Sequence, residues 1–295
     1  MPSRPITIAI IAFWLSTAGW FVVRDLVPAW RSGEPPPYTI EMADEALPQV
    51  VRTRWSCTLN GQSIGGELFT VFASKPDDYA YELTATCKQF TMQFTFPIGP
   101  VRILVQDYVD RIRISQDGEL RSIATTGSLV AQVAGLRFEG RFERSAEVRH
   151  GRLERHVVLE ADGLGKYSPD LPPTDPPHGS VLNPMHPLPR ISGLRAGQTW
   201  RQPLVDPRVD MLQAVCDQMG LGKLTALARR PEMLLAVVLP ELQSLRWENQ
   251  DQPCLVIEFR DGEECVARTW VRQSDGMVLR QEAGGHGEKL MLQRE

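Results

Sequence analysis

The stretch CLVIEFRDGEECVARTWVRQSDGMVLRQE, residues 254–282, decides the fold class of this chain. It contains three runs in which apolar and polar residues alternate, at 254–259, 265–273 and 277–282. Asp-Gly pairs at 261–262 and 275–276 separate these runs, and Asp-Gly between alternating runs is a strong hairpin signal. A fourth run, 289–293, follows a glycine-rich turn. The C-terminal part of the chain is therefore predicted to be an antiparallel meander.

The same alternation fills residues 50–167, where turn signals such as Asn60-Gly61 bound the runs. The strands predicted there are Val51–Leu59, Gly66–Ala73, Tyr79–Phe90, Thr91–Phe96, Val101–Val105, Asp107–Ile114, Leu120–Thr126, Leu136–Val148 and Leu153–Ala161. Two further strands are predicted at 233–238 and 243–247. Several short strands separated by turn signals are typical of an all-β sheet, sandwich or barrel.

A proline-rich stretch, residues 168–193, interrupts this pattern. Eight prolines fall between Ser168 and Arg190, which is too many for a helix or a central strand. We predict a long loop between a first β-rich half, 50–167, and a second β-rich half, 194–295. The loop either separates two domains or crosses a single sheet, and the sequence leaves both arrangements open.

The best helix of the body is predicted at residues 207–219, in the second half. Asp206 can cap it, Pro207 suits its first turn, and Gly220 can end it. A second short helix could follow. The predicted fold is thus mainly β, a large antiparallel curved sheet in the form of a half-barrel or a sandwich with one or two short helices, preceded by a single N-terminal transmembrane helix.

That transmembrane helix is predicted from Ile6–Val23, which contains 18 residues without a charge. At 1.5 Å per residue such a helix is about 27 Å long, close to the ~30 Å hydrocarbon core of a bilayer. Residues 1–30 are therefore predicted to be a membrane anchor, and residues 31–49 a proline-rich spacer. The alternatives are a signal peptide cleaved after Ala18 and a buried helix. An anchor and a signal peptide would both export the body.

Composition and charge argue against a protein that binds nucleic acids. The 295 residues include 42% hydrophobic and 23% charged residues, which is ordinary for a globular protein. The net charge of −4 indicates no basic surface of the kind that nucleic acids bind, so no nucleic-acid partner is expected. The two Gly-Leu-Gly-Lys sequences, at 163–166 and 220–223, lack the spacing of a phosphate-binding loop. We expect no cofactor.

The five cysteines are Cys57, Cys87, Cys216, Cys254 and Cys265, and no two of them have Cys-x-x-Cys spacing. If Asp261-Gly262 is a two-residue turn, Cys254 faces Thr269 and Cys265 faces Glu258. The two sulfurs would then lie roughly 14 Å apart along the strands, which is too far for a disulfide. Buried free thiols are expected, and the pairing of the other cysteines is left open.

No catalytic residue and no metal ligand is predicted. Gly61–Gly65 matches the nucleophile-elbow pattern Gly-x-Ser-x-Gly, but that pattern requires a strand before it and a helix after it, and a strand follows here. The histidines are His150, His156, His178, His186 and His286, and none has the spacing of a helical zinc site. A metal pair at His150 and His156, or a copper site in the proline-rich loop, is the weaker alternative.

Two parts of the body resemble the LolA/LolB lipoprotein-localisation factors and related periplasmic domains of unknown function. Residues 55–66, a strand followed by an Asn-Gly turn and Ile-Gly-Gly, resemble an opening hairpin of that group. Residues 268–271 with 275–282 resemble its late hairpin. The resemblance implies a large curved sheet in the cell envelope. It carries over no binding residue, and the chain lacks the lipobox cysteine and has a longer proline-rich loop.

These observations favour a non-enzymatic protein of a bacterial envelope, tethered through residues 6–23 with its body in the periplasm or at the cell surface. A concave apolar face would bind a lipid-like ligand or an envelope protein partner. Candidate lining residues are Phe69, Phe94, Phe96, Trp200 and Trp270, with core packing as the other use of each. One alternative is a structural subunit that pairs through an edge strand. The other is an envelope metal-dependent hydrolase using His150, His156 or the loop histidines.

Overall fold

The computed structural model describes most of the body of the chain. The described residues are 51–75, 80–96, 99–115, 119–133, 136–163, 165–168, 170–177, 188–191, 193–203, 233–285 and 288–295, with the single positions 13, 14, 16, 17 and 20. Those five positions are helical and exposed, and the rest of the predicted anchor 6–23, the spacer 31–49 and the predicted helix 207–219 lie outside the described residues. Within the described part, no helix reaches the length and apolarity needed to cross a membrane.

Strands form every regular element that the structure describes between residues 51 and 295. They are β1 (Val51–Leu59), β2 (Gln62–Ser63), β3 (Glu67–Lys75), β4 (Ala80–Phe96), β5 (Gly99–Ser115), β6 (Leu120–Val133), β7 (Leu136–Arg149), β8 (Arg152–Ala161), β9 (Gly165–Tyr167), β10 (Asp170–Thr174), β11 (Thr199–Pro203), β12 (Met233–Val238), β13 (Gln243–Trp247), β14 (Gln250–Asp261), β15 (Glu264–Arg272), β16 (Val278–Gly285) and β17 (Glu288–Arg294). The mainly β prediction is confirmed.

All of these strands belong to one large antiparallel open sheet, and β1 lies in its middle. On one side β1 pairs with β3, and the sheet continues through β4, β5, β6 and β7 to β8, which pairs with both β9 and β10. On the other side β1 pairs with β17, and the sheet continues through β16 and β15 to β14. Strands β12 and β13 pair with successive parts of β14, and β11 pairs with β12.

The main hydrophobic core takes residues from both sequence halves. It includes Trp55, Phe72 and Leu83 from the first half and Trp200 and Ile257 from the second, all almost completely buried. We call the face of the sheet that carries this core the inner face. A smaller cluster, built around Trp270, packs separately on the second half. The two halves therefore share one sheet and one main core.

Two-residue hairpins form where the sequence places residues that tolerate positive φ. Asn60 and Gly61 have φ of 52° and 79° and join strands in which Leu59 pairs with Gln62. A left-handed conformation at both central residues is what a type I′ hairpin turn requires, and Asn-Gly adopts it most readily. The Gly-x-Ser-x-Gly match at 61–65 is thus part of a hairpin, with strand β3 after it.

The turn predicted at Asp261-Gly262 is wrong by one residue. Asp261 pairs with Glu264, so Gly262 and Glu263 form the turn, and a bulge next to Arg260 shifts the register further. Cys254 consequently faces Arg272 instead of Thr269, and Cys265 faces Arg260 instead of Glu258. The four described cysteines, Cys57, Cys87, Cys254 and Cys265, are free thiols.

Part of the proline-rich stretch joins the sheet. Asp170–Thr174 forms β10 and pairs antiparallel with β8 at an end of the sheet, where prolines are tolerated because one edge of the strand needs no hydrogen bonds. The carbonyl oxygen of Pro172 accepts a hydrogen bond of 2.9 Å from Arg155. Further on, Arg190 forms an isolated bridge with Met277, which ties the stretch to the second half.

Candidate functional site

Four neighbouring strands extend beyond the main core. Strands β4 and β5 have 17 residues each, and β6 and β7 have 14 each. Their contributions to the core all come from one end of these strands, namely Tyr81, Leu83, Ile112, Ile114, Leu120, Ile123 and Ala146. We call the other end the strand extension, residues 87–96, 99–108, 127–133 and 136–142. Its described residues belong to neither hydrophobic cluster.

Two backbone irregularities at the same level allow these strands to continue. Gln89 in β4 has φ of 54°, and Gln106 in β5 is a bulge at which the register with β6 shifts by one residue. The strand breaks predicted near residues 90 and 106 are therefore wrong, because a bulge bends a strand without ending it. Lys88 pairs with Asp107, and the next pair is Phe90 with Val105, so each strand skips one residue at the same level. The inward and outward alternation of both strands therefore shifts together, and β4 and β5 stay in register with each other.

The shifted alternation keeps one face of the strand extension apolar. On the inner face the residues with described side chains are Cys87, Phe90, Ile103, Val105, Tyr108, Gly127, Leu129, Ala131, Phe138, Gly140 and Phe142, all buried or half-buried. On the outer face most of the described residues are polar and exposed: Lys88, Arg102, Gln106, Asp107, Gln132, Arg137, Glu139 and Arg141. Without the two irregularities, the apolar residues of β4 and β5 would change faces midway along each strand.

We call the apolar inner face of the strand extension the apolar wall. An aromatic pair lies at the end of this wall that is nearer to the main core. The rings of Tyr108 and Phe142 lie on β5 and β7 with their centroids 6.4 Å apart. Gly127 on β6 pairs with both residues, and a Cβ atom at this position would lie only 2.3 Å from Cζ of Phe142. Glycine is needed here because the ring of Phe142 occupies the space above the intervening strand.

A buried polar row separates this wall from the main core. Asp110, Thr125 and Arg144 occupy paired positions on β5, β6 and β7 and are at most 2% exposed. The Thr125 hydroxyl donates a hydrogen bond of 2.6 Å to Oδ1 of Asp110. Both ionisable residues take part in polar interactions, as buried charges require. The inner surface thus changes from apolar core to polar row to aromatic and aliphatic wall.

Two thiols lie on the inner face near this boundary. Cys87 pairs with Tyr108, and Cys57 lies on β1. Burial, and next the proximity of Cys87, raises the pKa of Cys57 to about 12, while burial raises the pKa of Cys87 to about 11. Because the thiolate is the reactive form, both thiols are poor nucleophiles and metal ligands at neutral pH.

The predicted aromatic site residues lie at separate places. Phe69 is half-buried on β3, with the Arg52 guanidinium 4.3 Å from its ring centre. Trp200 is 1% exposed in the main core and donates a hydrogen bond of 3.1 Å to Gln202. Trp270 lies in the smaller cluster. These three side chains do not share one surface, and their predicted contact with a ligand stays a prediction.

Phe94 and Phe96 belong to the strand extension by register. Phe94 pairs with Val101 and Phe96 with Gly99. Both are in phase with Phe90, at positions of the strand that alternate toward the inner face. Nothing of their side-chain surroundings falls within the described residues. Of the five predicted residues, these two are the ones that the backbone places in the strand extension.

The two described histidines of the alternative hydrolase hypothesis, His150 and His156, do not form a common site. His150 has φ of 51° in the turn between β7 and β8, and Nε2 of His156 lies 3.2 Å from the Ser168 hydroxyl at the surface. His178, His186 and His286 lie outside the described residues. In the described ranges, no group of three or more His, Cys, Asp or Glu side chains is arranged to hold a metal ion.

Sequence reasoning missed the polar row, although one signal was present. Asp110 shares its alternation with Ile112 and Ile114, so the strand predicted at 107–114 already placed a carboxylate on the side of two isoleucines. A charged residue on an apolar face is informative, because buried charges need partners. The partner, Thr125, lies 15 residues away on the next strand.

Comparison with known proteins finds similarity to solved structures. No family model matches the chain, and no curated protein matches it. The chain is similar to a crystal structure of a beta-barrel-like protein of the domain of unknown function DUF1849 from Brucella abortus, at 10% sequence identity and a TM-score of 0.40, covering 83% of this chain and 94% of that one. One large antiparallel sheet is consistent with the curved-sheet fold implied by the LolA/LolB resemblance, and membership of that group stays a prediction.

Proposed function

We propose that this chain is a non-enzymatic protein of a bacterial envelope that holds a lipid-like ligand. Residues 6–23 anchor it in the membrane, and the β body is exported. The uncharged run of 18 residues supports the anchor. The ligand lies against the inner face of the strand extension, with its apolar part on the wall formed by residues such as Phe90, Phe138 and Phe142.

One observation carries the ligand-binding proposal. The inner face of the strand extension stays apolar across two backbone irregularities, although its described residues pack into neither hydrophobic cluster. Apolar residues that serve only the fold would be expected inside one of these clusters. A lipid chain would remove their remaining exposed area from water, at about 25 cal/mol for each Å².

The anchor proposal is tested by fractionation of an exporting bacterial host. The full chain should remain in the membrane fraction after alkaline carbonate extraction. A variant in which a cleavable signal peptide replaces residues 1–30 should instead be recovered in the soluble periplasmic fraction. Recovery of the full chain in a soluble fraction, with its N-terminal residues removed, would establish the cleaved signal peptide instead.

The ligand site is tested by photo-crosslinking of the full chain in nanodiscs. The probe is a long-chain alcohol carrying a diazirine on its chain, and peptide mapping locates the labelled residues. We expect label on inner-face residues of β5, β6 and β7. Phe138→Ser should reduce that label severalfold, whereas Arg137→Ser, at the adjacent outward position, should leave it unchanged. Label confined to the outer face, or equal label in both variants, would refute the ligand site.

A further inference from the structure

The two irregular positions produce a second feature, on the outer face of the sheet. Lys88 and Gln89 on β4 are both exposed, as are Gln106 and Asp107 on β5. Together with Leu104 they line a cavity of about 600 Å³ in the part of the chain that the structure describes. This volume is within the range of small-molecule sites, roughly 300–1,000 Å³.

The backbone at this cavity departs from regular strand geometry. Gln89 has φ of 54°, a left-handed conformation that residues other than glycine adopt rarely, and here it falls inside a long strand. The β2–β3 connection approaches the same point, because a Cβ atom on Gly66 would lie 2.3 Å from the carbonyl oxygen of Lys88. Bulges and strained residues cluster at functional sites, where they redirect side chains.

The cavity offers unused hydrogen-bonding groups on both strands. Lys88, Gln89, Gln106 and Asp107 form no side-chain hydrogen bond or ion pair with the described residues. The two amides supply donors and acceptors, the ammonium supplies donors, and the carboxylate supplies acceptors. One positive and one negative charge leave the group neutral. Such a set suits a neutral ligand with many polar atoms.

We propose that this cavity binds a saccharide chain. A saccharide presents neighbouring hydroxyls, each a donor and an acceptor, to which an amide or a carboxylate can form paired hydrogen bonds. Leu104 supplies an apolar contact for the C–H groups of a sugar ring. An extended peptide fits less well, because β5 already pairs with strands on both sides. Such a peptide could pair only with the edge of β4 beyond Lys88, where β3 ends, and there it would leave the side chains of β5 unused. The site is independent of the lipid-like ligand, which lies on the opposite face.

Binding is measured by calorimetric titration of the full chain, in nanodiscs of neutral lipid, with maltotetraose, cellotetraose and chitotetraose. We expect at least one of the three to bind with a Kd in the millimolar range or tighter, as expected for a solvent-exposed set of hydrogen bonds. Failure of all three would overturn the proposal. Binding of a Gly-Ser tetrapeptide in place of every saccharide would overturn the assignment of the ligand class.

The informative variant is Gln89→Gly. Glycine adopts positive φ without strain, so this change removes the amide and keeps the backbone. We expect Tm to stay the same or rise. The affinity for the saccharide should fall about tenfold, because the variant loses the hydrogen bonds between the uncharged Gln89 amide and the sugar hydroxyls. Gln106→Ala should weaken binding similarly, and Gln132→Ala, at an exposed outer position on β6, should not. Undiminished binding by Gln89→Gly and Gln106→Ala would refute the site.

Discussion

The hydroxyl of Thr125 donates a hydrogen bond of 2.6 Å to the carboxylate of Asp110, and both residues are completely buried. This bond connects β5 and β6 at the level where the main core ends. A carboxyl group buried in that position needs hydrogen-bond partners, because losing the Thr125 hydroxyl would leave one of its oxygens without the hydrogen bond that water would supply. The Thr125 hydroxyl therefore contributes to stability out of proportion to its size.

Thr125→Val should lower the free energy of unfolding by about 1–3 kcal/mol, because the change keeps the shape and removes the donor to Asp110. Thr126→Val is the matched control, since Thr126 is the exposed neighbour on the same strand, and it should change stability by less than about 0.5 kcal/mol. Urea unfolding followed by tryptophan fluorescence measures both. Equal effects of the two substitutions would show that the buried hydrogen bond contributes nothing specific.

Gly127→Ala should destabilise the protein by about 1–3 kcal/mol, because the new methyl group would lie less than 3 Å from the ring of Phe142 and from the carbonyl oxygen of Asp107. Phe142→Leu shortens that side chain. In the double variant the cost of the alanine should therefore fall, which gives a coupling energy of about 0.5 kcal/mol or more. Thermal or urea unfolding of the four proteins of the cycle measures it. Simple additivity would mean that the ring does not occupy the space above Gly127.

The carboxylate of Glu258 should stabilise the protein at neutral pH, and this contribution should be lost at acid pH. Burial alone would raise the pKa of Glu258, but hydrogen bonds from Arg260 and Arg268 outweigh it and hold the pKa below its ordinary value of 4.5. A carboxylate with a lowered pKa stabilises the fold above its ordinary pKa, and this contribution is lost as pH falls through the lowered value. Since both arginines are more than a third exposed, its size is at most about 1 kcal/mol.

The corresponding measurement compares Glu258→Gln with the parent chain at pH 7 and pH 3. The substitution should destabilise the protein at pH 7 and have little effect at pH 3, where the parent carboxylate is becoming protonated. Glu263→Gln, in the exposed turn between β14 and β15, is the control. It should leave the free energy of unfolding unchanged at both pH values. The same loss for Glu258→Gln at both pH values would exclude an ionic contribution.

The buried thiols should resist alkylation while the protein is folded. Iodoacetamide at pH 8 should label Cys265, which is half-buried, faster than Cys57, whose pKa burial raises to about 12. In urea both should react at similar rates. Peptide mapping by mass spectrometry at several times of reaction gives the order. Labelling of Cys57 as fast in the folded protein as in urea would contradict the buried environment.

Much of the strand content follows from the sequence because local signals determine it. Val51–Leu59, Met233–Val238 and Gln243–Trp247 have the bounds that alternation predicts. The Asn60-Gly61 turn is equally local, since both residues favour the left-handed conformation that the hairpin requires. Signals of this kind depend on the few residues that carry them and on nothing distant in the chain.

The arrangement of the inner wall could not be predicted in this way. The change of alternation at Gln89 and Gln106 reads as two strand breaks, and only the pairing of β4 with β5 and β6 shows that the strands continue. Trp200 and Trp270 were grouped because both are large and apolar, whereas the face on which each lies depends on pairing between distant strands. Periodicity gives the face within one strand, and it does not give the partner across the sheet.

The position of β1 in the middle of the sheet has a consequence for biosynthesis. The Ser56 hydroxyl donates a hydrogen bond to the carbonyl oxygen of Gln293, 237 residues later in the chain. At 5–20 residues per second, a ribosome needs roughly 10–50 s to make the chain between them. During that interval β1 has one strand edge without its partner, and such an edge can pair with other chains. A newly made chain therefore needs to be kept apart from its neighbours until its last strand is available.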